Sequence, residues 1–224
     1  MNGQLSAVES CLNAEIANAV FPITEAQTTC IANVAGREMA ERVTVKLTPL
    51  QANFLIVDKS AHGLTNHYAP TLGADRWAAV VAAWHRYHQA ILVVNAGTAI
   101  TLDAISQNGE FLGGSIMPGL YLMRASLTNN TTLLKVEEGD WQAFPTNTSD
   151  AIQSGMLNAV VGAIKLTRKR LEKYSQNPPL LLLSGGDAEI IAKALALQIS
   201  NLDKKQVIIT QNLVLQGLAL LAKA

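Results

Sequence analysis

The sequence predicts an α/β protein built on a mixed sheet with helices on both faces. Three observations carry the prediction. Short apolar, β-branched runs such as Ala90 to Ala96 alternate with stretches of helical period such as Ala74 to Gln89. Asn108-Gly109 joins two of the runs as a hairpin, because both turn positions tolerate positive φ. Of the 224 residues, 49% are hydrophobic and only 15% charged, a composition that buries a large core instead of staying disordered.

The elements follow in order. Leu5, Val8, Leu12 and Ile16 recur at helical spacing, with Ser6 placed to start the helix. Cys30 to Val34 reads as a short strand closed by Gly36, and Arg37 to Arg42 is polar and helix-forming. Gln51 to Val57 holds Phe54, Leu55, Ile56 and Val57, a short buried strand. Asp58 to Gly73 carries Gly63, Asn66 and Pro70 and reads as a loop. The helix from Ala74 to Gln89 carries Trp77, Val80, Val81 and Trp84 toward the core. Ala90 to Ala96 is a central strand. Thr98 to Ile105 and Glu110 to Ile116 form the hairpin, which Pro118-Gly119 ends before a helix over Leu120 to Leu127. Thr128 to Asn147 is polar and loop-like. Asp150 to Tyr174 is a long helix stopped by Pro178-Pro179. Leu180 to Leu183 is a strand, Ala188 to Leu197 a helix, Gln206 to Thr210 a strand and Asn212 to Ala222 a last helix. The second part thus runs hairpin first and then alternates helix and strand. The first part shows the same alternation without an opening hairpin.

Composition also narrows function. Lys plus Arg is 17 and Asp plus Glu is 17, for a net charge of +0, which disfavours nucleic acid held on a basic surface. No apolar run reaches membrane-spanning length, and the start lacks the basic-then-apolar order of a signal peptide, so a cytoplasmic protein is expected. Two cysteines, Cys11 and Cys30, make neither a disulfide framework nor a zinc site and read as buried thiols. His85 and His88 lie three apart on a helix and read as surface residues; Lys204-Lys205 reads as a solvated turn.

Chemistry concentrates in four glycine-marked turns. In Leu72-Gly73-Ala74-Asp75-Arg76-Trp77, an Asp and an Arg open a helix. Read alone, this is an N-cap with a solvated Arg. Read as a site, Asp75 accepts a hydroxyl proton while Arg76 fixes an anionic substrate. In Asn95-Ala96-Gly97-Thr98, backbone amides and the Thr98 hydroxyl suit phosphate oxygens, although a plain hairpin turn has the same form. Gly113-Gly114-Ser115-Ile116-Met117-Pro118-Gly119 reads as a turn with close strand packing. Ser184-Gly185-Gly186-Asp187 leads a strand into a helix, leaving room for a ribose or base; a bare turn has the same form.

The order of these motifs is more specific than any one of them. Leu-Gly-x-Asp-Arg-Trp, Gly-Thr-Ala-x-Thr-x-Asp, Gly-Gly-x-Ile-x-Pro-Gly and Gly-Gly-Asp-Ala together resemble the type III pantothenate kinases, from about Cys30 to the C-terminus. The bacterial branch of that family includes proteins first described as transcriptional accessory factors. The resemblance implies the acetate kinase, sugar kinase and actin superfold: two ribonuclease H-like units, here residues 1–89 and 90–224, with the active site between them. It implies phosphorylation of pantothenate by ATP with Mg2+ and a monovalent cation, K+ or NH4+, in a homodimer, with Leu166 to Tyr174 or the hairpin as apolar surface. It assigns Asp75 as general base, and Tyr68, Gly73, Ala74 and Arg76 to pantothenate, with Arg76 suited to its carboxylate. Thr148 becomes a substrate threonine, of the second unit or of the neighbouring subunit. Thr98, with Gly97, meets ATP phosphate, and Gly185, Gly186 and Asp187 sit near the adenosine.

Two departures from the family pattern stand out. Asn95 occupies the position of the family's cation-binding Asp and offers an amide oxygen without charge. The opening Asp-x-Gly-Asn hairpin that wraps the ATP phosphates has no counterpart, since Met1-Asn2-Gly3-Gln4-Leu5 leads straight into the first helix. The expectation is weak ATP affinity and reduced stability for this chain. A catalytically impaired regulatory relative is the alternative reading. Another kinase of the superfold is disfavoured by the Gly-x-Asp-Arg-Trp block.

Overall fold

The computed structural model describes residues 29–47, 53–68, 71–128, 138–199 and 203–222. Its centre is the strand β3 (Ile91–Ala96), buried along nearly its whole length. β4 (Ala99–Ile105) and β5 (Glu110–Pro118) turn back beside it as an antiparallel meander, while β6 (Leu180–Ser184) and β7 (Val207–Ile209) lie parallel on its other side. The short β1 (Ser60–Ala61) and β2 (Leu64–Asn66) extend the β5 edge, giving a seven-stranded mixed sheet ordered β1-β2-β5-β4-β3-β6-β7. The strands from β3 onward match the expected bounds to within two residues.

Both faces of the sheet are covered, as its parallel members require. On one face lie α3 (Leu120–Thr128), α4 (Thr148–Leu171) and α5 (Ala188–Gln198). They pack against Leu92, Val94, Ile100, Leu102, Leu181 and Leu183. On the other lie α2 (Ala74–Tyr87) and α6 (Leu213–Leu221), over Ile91, Val93, Ile105, Leu180 and Leu182. The two sets alternate along each strand, as a period of two dictates. Trp77 and Trp84 are core residues, as expected, and His85 and His88 are exposed. Cys30 is half-buried, and burial pushes its thiol pKa up.

Four expectations need adjusting. Asp58 to Gly73 is not wholly loop: Asn66 donates its side-chain amide to the Asp58 carbonyl at 3.1 Å, and Thr65 N–H donates to Gly109 at 2.7 Å, fastening β1 and β2 to the sheet. Cys30 to Val34 and Gln51 to Val57, described from Asn53 on, form one parallel bridge, Ile31 to Phe54, instead of two strands, and Ile56 is exposed instead of buried. No third strand is described beside them to extend the ladder. Helix α4 starts at Thr148, two residues early, because the Asn147 side chain accepts the Asp150 N–H at 2.9 Å and caps it. The polar helix at Arg37 continues to Lys46 as α1 (Arg37–Lys46). The expected first helix, Cys11 and the place of the family's opening hairpin lie outside the described residues. Among the described residues no helix is long and apolar enough to cross a membrane.

Candidate active site

At the end where β3 and β6 finish, the α2 face of the sheet changes character. Below, its residues are Ile91, Val93, Ile105, Leu180 and Leu182. Above, the same alternation brings up Asn95, Thr101, Asp103 and Ser184. Asn95 pairs with Thr101 on one side and Ser184 on the other, so three polar side chains form one row. This is the carboxyl end of the parallel strands, where open α/β sheets bind ligands.

The helix α2 begins over this row. Gly73 is its N-cap, Ala74 is buried, and Asp75 lies in its first turn, half-buried. The Asp75 carboxylate folds back so that Oδ1 accepts the Arg76 N–H at 2.8 Å. A Cβ on residue 73 would stand 2.6 Å from that oxygen, so the glycine makes room for the carboxylate. Negative charge sits favourably at a helix start, where N–H groups lack partners.

The Arg76 side chain turns into the protein and is 5% exposed. Its Nε donates to both carboxylate oxygens of Asp103, at 3.1 and 3.2 Å, and Nη2 donates to Oδ1 as well. Asp103 has no exposed surface. Burial pushes the Asp103 carboxyl up in pKa, and Arg76 pulls against that push. Burial works against charge on Arg76 too, but Asp103 together with Tyr68 outweighs it and holds the guanidinium above its usual value. The half-exposed Tyr68 ring covers the pair, its centroid 5.5 Å from Arg76 Cζ and 5.8 Å from the Phe111 ring. The Tyr68 N–H is anchored on Asn66 Oδ1 at 2.9 Å.

The glycine turns meet at the same sheet end. Asp187 N–H donates to the Ala96 carbonyl at 3.1 Å, and Gly119 N–H to the Thr98 carbonyl at 2.9 Å. Gly185 has φ +100°, and a Cβ there would lie 2.2 Å from the Ala96 oxygen. The Gly186 position faces open space, and Gly97 and Thr98 are exposed. Backbone groups and one hydroxyl therefore line an accessible edge fit for phosphate and sugar oxygens.

The structure thus brings Tyr68, Gly73, Ala74, Asp75 and Arg76 into one cluster, and Gly97, Thr98, Gly185 and Gly186 into another. Thr148 stands apart, exposed at the start of α4. It lies on a cavity of about 890 Å³ lined by Pro118, Leu122, Met156 and other α3 and α4 residues. Asp103 and Gly114 stand in the sequence motifs, at the end of Gly-Thr-Ala-x-Thr-x-Asp and in the Gly-Gly pair, but the sequence assigned neither a role in the site. The signal for Asp103 was a carboxylate in a strand buried on both faces, where an unpaired charge is not tolerated.

Residues 3–170 match the family model described as type III pantothenate kinase. A type III pantothenate kinase of Nitrosomonas eutropha is 38% identical over 201 residues, covering 87% of this chain and 75% of the relative. One from Laribacter hongkongensis is 41% identical over 172 residues, covering 76% and 69%. A crystal structure from Campylobacter jejuni, described as a conserved transcriptional activator of the Baf family, superposes with TM-score 0.59 at 25% identity. That match covers 86% of this chain and 80% of the other.

Proposed function

The chain belongs to the type III pantothenate kinases, and on that premise we propose the roles its residues play. The activity is ATP-dependent phosphorylation of pantothenate to 4′-phosphopantothenate, which opens coenzyme A biosynthesis. The observation that carries the assignment of roles is Asp75. Its Oδ1 is held by the Arg76 N–H, and its Oδ2 has no hydrogen bond among the described residues. That leaves an oxygen for the primary hydroxyl of pantothenate.

In the reaction the hydroxyl oxygen attacks the γ-phosphorus in line. The new O–P bond forms as the bond to the β–γ bridging oxygen breaks, ADP leaves with that electron pair, and the hydroxyl proton passes to Asp75. Tyr68, Gly73, Ala74 and Arg76 form the pantothenate side of the site. Gly97 and Thr98 meet the phosphates, and Gly185 and Gly186 leave room for the adenosine. Thr148 approaches pantothenate from a neighbouring subunit, a role that its exposure and its distance in the fold from the α2 cluster support.

Asn95 is the monovalent cation position. It stands beside Thr101, whose Oγ1 is buried without a hydrogen bond, and beside Ser184. This uncharged, oxygen-only set fits K+ or NH4+. No cluster of three or more His, Cys, Asp or Glu side chains that could hold a metal is found among the described residues. Magnesium would travel with the nucleotide phosphates and would offset their charge. The homodimer rests on exposed apolar residues: Ile116, Tyr121 and Phe144 are 62%, 79% and 92% exposed. A cytoplasmic location fits the metabolic role.

The test is pantothenate-dependent ADP formation with magnesium and either potassium or ammonium, beside D75N. Loss of about 100-fold or more in D75N is expected for a general base. A variant that keeps a tenth of wild-type turnover removes Asp75 from that role, and a wild-type chain that neither binds nor phosphorylates pantothenate overturns the activity for this chain.

A further inference from the structure

We propose that Asp103 is a positioning residue for the pantothenate end of the site, acting through Arg76, and that Gly114 is the vacancy that lets the pair seat. The proposal rests on the reading of the Tyr68 and Gly73–Arg76 cluster as the pantothenate site.

Asp103 and Gly114 are register partners on β4 and β5. A Cβ on residue 114 would stand 2.2 Å from the Leu102 carbonyl oxygen, 2.4 Å from Asp103 Oδ1 and 2.9 Å from Arg76 Nη2. Any side chain there would press on the ion pair and on the backbone of β4 together. The neighbouring Gly113 has φ +103°, and its Cβ position lies 3.7 Å from the Tyr68 ring. The two glycines are thus the floor under Arg76, Asp103 and Tyr68, which explains a Gly-Gly pair in mid-strand, where glycine weakens a sheet.

The pairing has a chemical consequence. Asp103 takes Nε and one N–H of Nη2, so Nη1 and the second Nη2 N–H are left for another oxygen. The pair is close to neutral and presents its remaining N–H donors in a fixed direction instead of as a free cation. A substrate carboxylate or hydroxyl is then met at a fixed angle. Arg76 also lends its backbone N–H to Asp75, so anchoring its side chain steadies the residue that holds the base. None of these groups belongs to the turns assigned to ATP.

The experiment is steady-state kinetics of D103N, R76K, the double variant R76K/D103N, and G114A, with pantothenate and ATP varied in turn. D103N is expected to raise KM for pantothenate about tenfold or more, to lower kcat less, and to leave KM for ATP within about twofold. Because Asp103 acts through Arg76, the double variant is expected to be no worse than the poorer single one. G114A, which disturbs the pair from β5, is expected to repeat the D103N pattern and decides the matter if D103N does not fold. A pantothenate KM within about twofold of wild type, equal rises in both KM values, or additive losses in the double variant would overturn the proposal. Failure of the parent reading is separately visible, as absence of pantothenate binding by wild type in calorimetry, and takes this proposal with it.

Discussion

Replacing Arg76 by Met tests the energetics on which the site rests. Met keeps most of the apolar stem and removes the guanidinium. Asp103, with no exposed surface, then loses all three of its hydrogen bonds from Arg76. Breaking a buried pair from one side costs about 3–5 kcal/mol, because the remaining charge has no water to return to. For a chain of this size each kcal/mol moves Tm by about 2–4 °C, so R76M is expected to melt roughly 6–20 °C below wild type. Replacing both partners, R76M/D103L, removes the stranded charge and is expected to recover most of the loss. The sign of the pH dependence follows from Asp103. Burial pushes its carboxyl up, and removing Arg76 takes away the larger part of what pulls it back. A raised carboxyl binds its proton in the folded state before the unfolded chain does. The penalty in R76M is therefore absent below the unfolded pKa of about 3.9, grows between that and the raised folded value, and is fully present above it. Urea denaturation at about pH 5 and about pH 7.5 measures the gap to wild type, which is expected to be wider at the higher pH. A deficit under about 1 kcal/mol at the higher pH, or a double variant weaker than R76M, would refute the reasoning.

Three further outcomes concern other parts of the fold. G185A forces a side chain onto the Ala96 carbonyl at φ +100° and is expected to lose about 1–3 kcal/mol in thermal unfolding, with ATP affinity falling alongside. G186A faces open space and is expected to leave Tm unchanged while raising KM for ATP; an unchanged KM would place the nucleotide elsewhere. N147A removes the cap that accepts the Asp150 N–H, and is expected to cost about 1 kcal/mol of stability by denaturant titration.

Much was legible in the chain itself. The β-branched run at Ala90 to Ala96, the Asn108-Gly109 turn and the helical period around Trp77 define the central strands and the helix over them, because local patterning and turn chemistry agree there. The order of the four glycine motifs carried the family. Less legible were the short strands β1 and β2, which owe their existence to the edge of β5 and not to their own propensity. The single bridge Ile31 to Phe54, where two strands were read, has the same cause, since a strand is made by its neighbours.

The sequence by itself determined which residue types stand at each turn, and so which residues are proposed for the site: Asp75, Thr98 and Gly185-Gly186. Only the tertiary structure decided what Arg76 touches. Sequence reading pointed its guanidinium at the substrate, whereas the fold gives two of its three nitrogens to Asp103, 27 residues away. No local pattern encodes that choice. It arises because β4 carries a carboxylate to a fully buried position on the α2 face, where burial demands a counter-charge, and because Gly114 leaves the space in which the pair can form.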